Sequence, residues 1–354
     1  MTEKTNIRIK DIALLAGVSK GTVDRVLHNR GKVSREKEQR IRAIMEKLNF
    51  KPNVIARSLS IASKKQYIIK AIIPFYTQGQ YWEFIHDGVK KAADEFLNYN
   101  IIIETIFYNQ YSEVSFDDTI KELTKNNFDA VLLSTLFTES VKKFSFYLDN
   151  KKIPYVYVDS DISSTNRLAY FGIDPIASGK LIANYLLHRM NTPNASIIIG
   201  CINSYSNQGI NRLKGFLEAL KESNYSGKIH EISLNLDEEI ENIKKLDDLF
   251  KKDPNIQGGL VVNSSAYILG NYVNIRNLKN NVIVAGYDII KKNVMALNND
   301  SVKLLLAQRP VSQGYDGIRA LCNYLLFQEK PTSLNLMPID ILVKENIEYY
   351  NEII

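Results

Sequence analysis

Residues 7–60 read IRIKDIALLAGVSKGTVDRVLHNRGKVSREKEQRIRAIMEKLNFKPNVIARSLS. Ile12 and Ala16 stand four apart on one apolar helix face, Gly17 interrupts it, and Ser19 offers a side-chain oxygen to the free amides of a new helix. The pattern predicts a helix, a tight turn and a second helix. In that second helix Val23, Val26 and Leu27 form the buried face, which leaves Lys20, Gly21, Thr22, Asp24 and Arg25 to look outward. A third helix is expected after Ser34, because Ile41, Ile44, Met45 and Leu48 fall at the i, i+3, i+4, i+7 spacing of one stripe. Three short helices then share one small core.

Charge separates this stretch from the rest of the 354-residue chain. Residues 1–66 hold 16 Lys and Arg against 6 Asp and Glu, a net of +10, whereas the remainder holds 29 against 33, a net of −4. A solvated helical surface needs no such segregation. A compact basic module with helix-turn-helix order is the footprint of a protein that binds the phosphate backbone of DNA.

Over residues 9–59 the chain resembles the amino-terminal headpiece of the LacI/GalR family of bacterial transcription regulators, including the Pro52-Asn53 step and the Ala56/Leu59 pair. The resemblance implies that Lys20, Gly21 and Arg25 read base edges in the major groove, while Thr22 and Asp24 sit near phosphates. Arginine can donate bidentately to guanine O6 and N7. Asp24 stands where the family more often carries a neutral Ser; its carboxylate can accept from cytosine N4, orient Arg25, or favour the helix dipole. His28, just past this helix, suits either a phosphate contact or a solvated loop. After the cap Asn53, residues 54–60 are too few for a stable isolated helix. In the family this hinge orders on the operator, Ala56 lets two hinges approach, and a leucine, here Leu59, wedges into a minor-groove step. Paired hinges imply a homodimer on a near-palindromic operator.

The expected domains are a helix-turn-helix headpiece over 1–52, a hinge and linker over 53–66, and an effector-binding and dimerisation body over 67–354. In the body, apolar runs rich in β-branched residues (67–75, 101–108, 130–134, 154–158, 168–173, 195–200, 228–233, 258–262 and 282–286) alternate with amphipathic stretches of helical length. The fold class is therefore an all-α headpiece plus an α/β body of two doubly wound parallel sheets. Ligands bind off the carboxyl ends of such strands. There stand Phe75, Tyr81 and Trp82, then Asp159, Asn207 and Arg212, then Asn263, Asp288 and Gln308. Each alone has an ordinary structural role, Trp82 as core and the aspartates as caps. Together they suit a carbohydrate, whose C–H faces lie on aromatic rings and whose hydroxyls both donate and accept.

The body also looks like the periplasmic-binding-protein-like (type I) effector domain of the same family, in its ribose-type branch. By that resemblance Tyr81 and Trp82 sandwich a pyranose ring, Asp159 accepts from a hydroxyl, and Arg212 in NRLKGF holds adjacent sugar oxygens. Asn263, Asp288 in AGYD and Gln308 in LAQRP supply the polar groups of the other lobe and the hinge. Asp174-Pro175 replaces the more usual Asp-Asn and glycine pair. The chain would cross between lobes near Gly172, Gln308 and Lys330, giving one lobe of 67–172 and 308–330 and another of 173–307 and 331–354.

The amino terminus, MTEKTNIRIK, has no apolar segment behind it, and no run of about eighteen uncharged apolar residues occurs, so a cytoplasmic protein with no membrane partner is expected. Cys201 and Cys322 are too few for a metal cluster or disulfide framework, and four scattered histidines build no metal site; no cofactor or metal is expected. The rival readings are a sugar-processing enzyme, with Asp159 and Asp288 as an acid/base pair, and a solute-binding protein. No nucleophile elbow, P-loop or dinucleotide glycine pattern supports the first. The missing signal peptide and the +10 front oppose the second. The sequence thus reads as a sugar- or polyol-responsive regulator, more readily a repressor than an activator.

Overall fold

The computed structural model describes residues 9–27, 33–48, 65–202 and 206–350. The chain falls into two compact units, residues 1–60 and 61–354. In the first, α1 (Ile9–Ala16), α2 (Lys20–Leu27) and α3 (Arg35–Lys47) close on Ile12, Ala13, Ala16, Val23, Val26 and Ile41, with Ile44 and Met45 packed at the edge. Gly17 makes the turn at φ +63°, a left-handed backbone that glycine adopts at no steric cost. Ser19 Oγ then accepts from the Thr22 amide at 3.2 Å and starts α2.

The second unit holds two six-stranded sheets. Strands β1 (Tyr67–Pro74), β2 (Ile101–Tyr108), β3 (Ala130–Ser134), β4 (Tyr155–Val158) and β5 (Ala169–Gly172) alternate with α4 (Tyr81–Phe96), α5 (Glu113–Leu123) and α6 (Thr138–Lys151). The chain then passes through α7 (Pro175–Arg189) into β6 (Ser196–Ile202), α8 (Asn207–Glu222), β7 (Ile229–Leu234), α9 (Glu239–Lys252) and β8 (Ile256–Val261). It continues with α10 (Ala266–Ile275), β9 (Ile283–Tyr287), α11 (Lys291–Asn298) and β10 (Leu304–Ala307). It returns along α12 (Pro310–Phe327) and finishes with β11 (Leu334–Leu336) and β12 (Asp340–Leu342). The strand orders are β11-β5-β4-β3-β1-β2 and β12-β10-β9-β8-β6-β7. Among the described residues all pairings are parallel except that of β12 with β10.

Strand periodicity explains the two-faced cover. On β1, Ile69, Ala71 and Ile73 face a core shared with α4 and α12, while Ile72 faces one shared with α5 and α6. The second sheet does the same between α7 with α8 and α9 with α10 and α11. Each lobe also uses one tight helix pair. A Cβ on Gly88 of α4 would stand 2.0 Å from the Val311 carbonyl oxygen of α12, and one on Gly179 of α7 would stand 1.9 Å from the Arg212 carbonyl oxygen of α8.

The third crossing differs from the expectation. β11 pairs with β5, Leu334 opposite Tyr170, so residues 331–336 stay with the first lobe. The chain returns to the second lobe between Leu336 and Asp340, after the expected Lys330. Three residues with half-exposed leucines leave no apolar run to announce a strand.

Candidate functional site

The carboxyl ends of both sheets face a cavity of about 420 Å³. Tyr81 and Trp82, from the start of α4, enter it from the first lobe, 6% and 5% exposed, with rings edge to face at 5.1 Å. Asp159 follows β4 and Asp288 follows β9, at φ 72° and 71°. Aspartate tolerates this left-handed region better than most residues. Burial pushes the Asp159 carboxyl up to about 7, against the pull of Arg212 and with added repulsion from Asp288. The Asp288 carboxyl is likewise raised by burial, with Arg212 opposing.

The two aspartates are partnered differently. Asp288 accepts from Ser264 Oγ at 2.6 Å and from Gln308 Nε2 at 2.7 Å, so both its oxygens are engaged by the protein. Gln308 in turn accepts from Gln208 Nε2 at 2.9 Å, and its carbonyl accepts from Gln313 Nε2 at 2.7 Å. Asn293 Nδ2 donates to the carbonyls of Ser264, Tyr287 and Asp288 and fixes the loop behind. Asp159 is oriented through its backbone, its amide donating to Gln313 Oε1 and its carbonyl accepting from Tyr170.

Arg212, on the second turn of α8, is 3% exposed. Its guanidinium lies 3.7 Å from the centre of the Tyr287 ring, and Nη1 donates to the Val262 carbonyl at 2.8 Å. Nε and Nη2 are buried without a partner, as is Asn263 Oδ1, and the buried Tyr81 hydroxyl faces the Asp159 carboxyl. Buried polar groups are normally satisfied, and each orphan costs about 1–3 kcal/mol. Three orphaned atoms in two cavity-lining residues are thus free to pair with a polar molecule that enters the cavity.

Seven of the nine residues expected at this site line the cavity: Tyr81, Trp82, Asp159, Arg212, Asn263, Asp288 and Gln308. Phe75 does not. It is 62% exposed and packs on Tyr76 and Phe107, because β1 ends at Pro74 and the chain turns its ring to the outer edge of the sheet. Asn207 is also absent from the lining; its Nδ2 donates to Ser160 Oγ and to the Asp161 carbonyl. Gln110, Tyr111, Phe137, Gln208 and Tyr267 line the cavity without having been expected. They follow β2, β3, β6 and β8, so the strand-end rule applied to every strand would have found them.

In the headpiece Lys20, Gly21 and Arg25 are exposed, and Thr22 is half-buried with its hydroxyl 2.9 Å from Ser19 Oγ. The Asp24 side chain and residues His28, Asn53, Ala56 and Leu59 lie outside the described residues. Elsewhere, Ser196, His230 and Asp253 meet, but hydroxyl and imidazole both bind the one Asp253 oxygen, at 2.7 and 2.8 Å, so the imidazole does not activate the serine. Among the described residues no group of three or more His, Cys, Asp or Glu could hold a metal ion, and no helix is long and apolar enough to cross a membrane.

Two mostly parallel sheets whose carboxyl ends face one cavity have the architecture of a periplasmic binding protein domain, and the model of that domain matches residues 70–329. Residues 8–53 match the lacI family of bacterial regulatory proteins, and the chain belongs to that family. A crystal structure described as a LacI transcriptional regulator from Bacteroides fragilis is 32% identical, with a TM-score of 0.76 over 81% of this chain and 100% of that one. The ribose operon repressor of Lactococcus lactis is 29% identical over 60% of each chain. A solute-binding protein of Burkholderia graminis in complex with D-arabinose, at 18% identity, shares the fold with a TM-score of 0.71 over 80% of this chain and 97% of that one. The chain spans between 49% and 61% of the length of the first curated relatives it matches. These relatives are named as transcription regulators, not enzymes.

Proposed function

We propose that this protein is a homodimeric, operator-binding transcription repressor whose DNA affinity is controlled by a neutral sugar or polyol held between the lobes of its body. The observation that carries the ligand class is the set of orphaned atoms around Arg212. Two N–H donors and an amide oxygen converge on a cavity that also presents the Tyr81 and Trp82 rings and the Tyr81 hydroxyl against the Asp159 carboxyl. Adjacent hydroxyls of a monosaccharide satisfy these groups at once, because each hydroxyl donates and accepts. Among the described residues Arg212 is the one Arg or Lys lining the cavity, facing two buried aspartates and already bound to Val262 and Tyr287. That balance disfavours a phosphate or a sugar acid. The ribose in the name of one relative and the D-arabinose in one structural neighbour fit this class.

The headpiece supplies the DNA contacts, Lys20, Gly21 and Arg25 to bases and Thr22 and Asp24 near phosphates. His28 is placed for a phosphate contact, and in the hinge Asn53 caps the helix, Ala56 lets two hinges approach and Leu59 wedges into a minor-groove step. Effector binding favours one lobe arrangement, and coupling to DNA equals the effector's differential affinity for the two arrangements. Neither aspartate serves as a catalytic pair, since Asp288 is held by two donors of the protein. Calorimetric titration of the full-length protein with neutral monosaccharides, polyols and their phosphates tests the reading. Binding of a neutral sugar, returned unchanged and lost in Arg212→Ala, is expected. Binding of phosphates alone, or turnover of the sugar, would replace it.

A further inference from the structure

We infer that Asn207 is a positioning residue that draws the two lobes together across the cleft without touching the ligand. Ser206 caps α8, its Oγ accepting from the Gly209 amide at 3.2 Å, so the Asn207 side chain has no capping role. Its Nδ2 instead reaches the first lobe and donates to Ser160 Oγ at 3.0 Å and to the Asp161 carbonyl at 3.1 Å. The two residues that accept are braced through their other polar groups. Thr135 Oγ1 donates to the Ser160 carbonyl at 2.6 Å, and Arg167 grips both oxygens of the Asp161 carboxylate. On its own helix Asn207 Oδ1 receives Asn211 Nδ2 at 3.4 Å, which turns the amide so that Nδ2 faces across the gap.

Both ends of this bridge are protein groups, so it favours the closed arrangement before any effector arrives. Effector affinity scales with the fraction of molecules already in the competent arrangement. Asn207 therefore sets the sensitivity of the response while leaving the choice of ligand to the cavity. The statement about effector affinity rests on the proposed function; the statement about lobe closure does not.

Closure is readable without a ligand, because Trp82 is the chain's single tryptophan and lines the cleft at 5% exposure. The experiment is acrylamide quenching of Trp82 in the full-length native protein, Asn207→Ala, Ser160→Ala and the double variant. Loss of two hydrogen bonds is expected to lower the closed-to-open ratio about tenfold, equivalent to about 1.4 kcal/mol, and to steepen quenching in Asn207→Ala. Ser160→Ala should steepen it less, since the Asp161 carbonyl still accepts, and the double variant no more than Asn207→Ala alone. With D-ribose and D-arabinose as probes, affinity should fall by no more than the same factor, and saturating sugar should restore native quenching in Asn207→Ala. Unchanged quenching in Asn207→Ala, or additive effects of the two substitutions, overturns the inference, because a residue that merely stabilised α8 would not couple to Ser160. If the native protein binds no neutral sugar, the proposed function fails and the sugar-free quenching still decides the bridge.

Discussion

Arg212 holds its position by two contacts that have nothing to do with a ligand, the Val262 carbonyl and the Tyr287 ring, and leaves two N–H groups facing the cavity. Arg212→Ala is expected to abolish the effector response while operator affinity without effector stays within about twofold, as read by anisotropy of labelled DNA. Asp159 makes a pH-dependent contribution of definite sign. Its folded carboxyl titrates near 7, above its ordinary value of 3.8, so the stability it contributes is fully present below 3.8 and is lost as pH rises through about 7. Asp159→Asn should therefore melt increasingly above the native protein as pH is raised from 4 to 8 without effector, and parallel melting curves would contradict this. These polar residues were legible because each directly follows an apolar run or opens the next helix. Phe75 and Asn207 met the same criterion and failed it, because position along a strand or helix does not say whether a side chain turns to the cleft, the outer edge or the opposite lobe.

Elements reach the site through close backbone contacts. The α7–α8 pair that carries Arg212 is set by Gly179 and Gly215, where an added Cβ would stand 1.9 Å from the Arg212 carbonyl oxygen and 2.0 Å from that of Ile176. Gly179→Ala must push α8 away, at a cost of about 1–3 kcal/mol, and should weaken effector binding together with the melting point. Gly258→Ala, whose Cβ would meet flexible side chains at 3.0 Å, should cost less and spare binding. Helices and most strands were readable from their periods, 3.6 in the headpiece and continuous β-branched runs in sheets covered on both faces. β11 and β12 were not, since three-residue strands owe their existence to the edges of β5 and β10 rather than to their own composition. In the hinge, Leu59→Ala is expected to reduce the bend of bound operator, as measured by circular-permutation mobility, if the leucine wedges between bases.

At the scale of the whole molecule the chain separates charge from ligand chemistry, a net of +10 over residues 1–66 and −4 over the remainder. On the proposed function the basic segment favours DNA of any sequence, and specificity is left to a few side chains on α2. Arg25→Ala should therefore weaken a selected site by about 1–3 kcal/mol and random DNA far less; equal losses on both would remove its base-reading role. Coupling between the two units need be no larger than the effector's preference for one lobe arrangement, and a 100-fold change in operator affinity corresponds to about 2.7 kcal/mol. A pair of well-made hydrogen bonds to Arg212 supplies that amount. The direct test is to select a DNA site from a random pool with the full-length protein, then measure its affinity for that site across a panel of neutral sugars in native and Arg212→Ala forms. At least one sugar should shift native affinity by about 100-fold and leave Arg212→Ala unmoved. Indifference to every sugar, or the same shift in both proteins, would contradict control of DNA binding from this cleft.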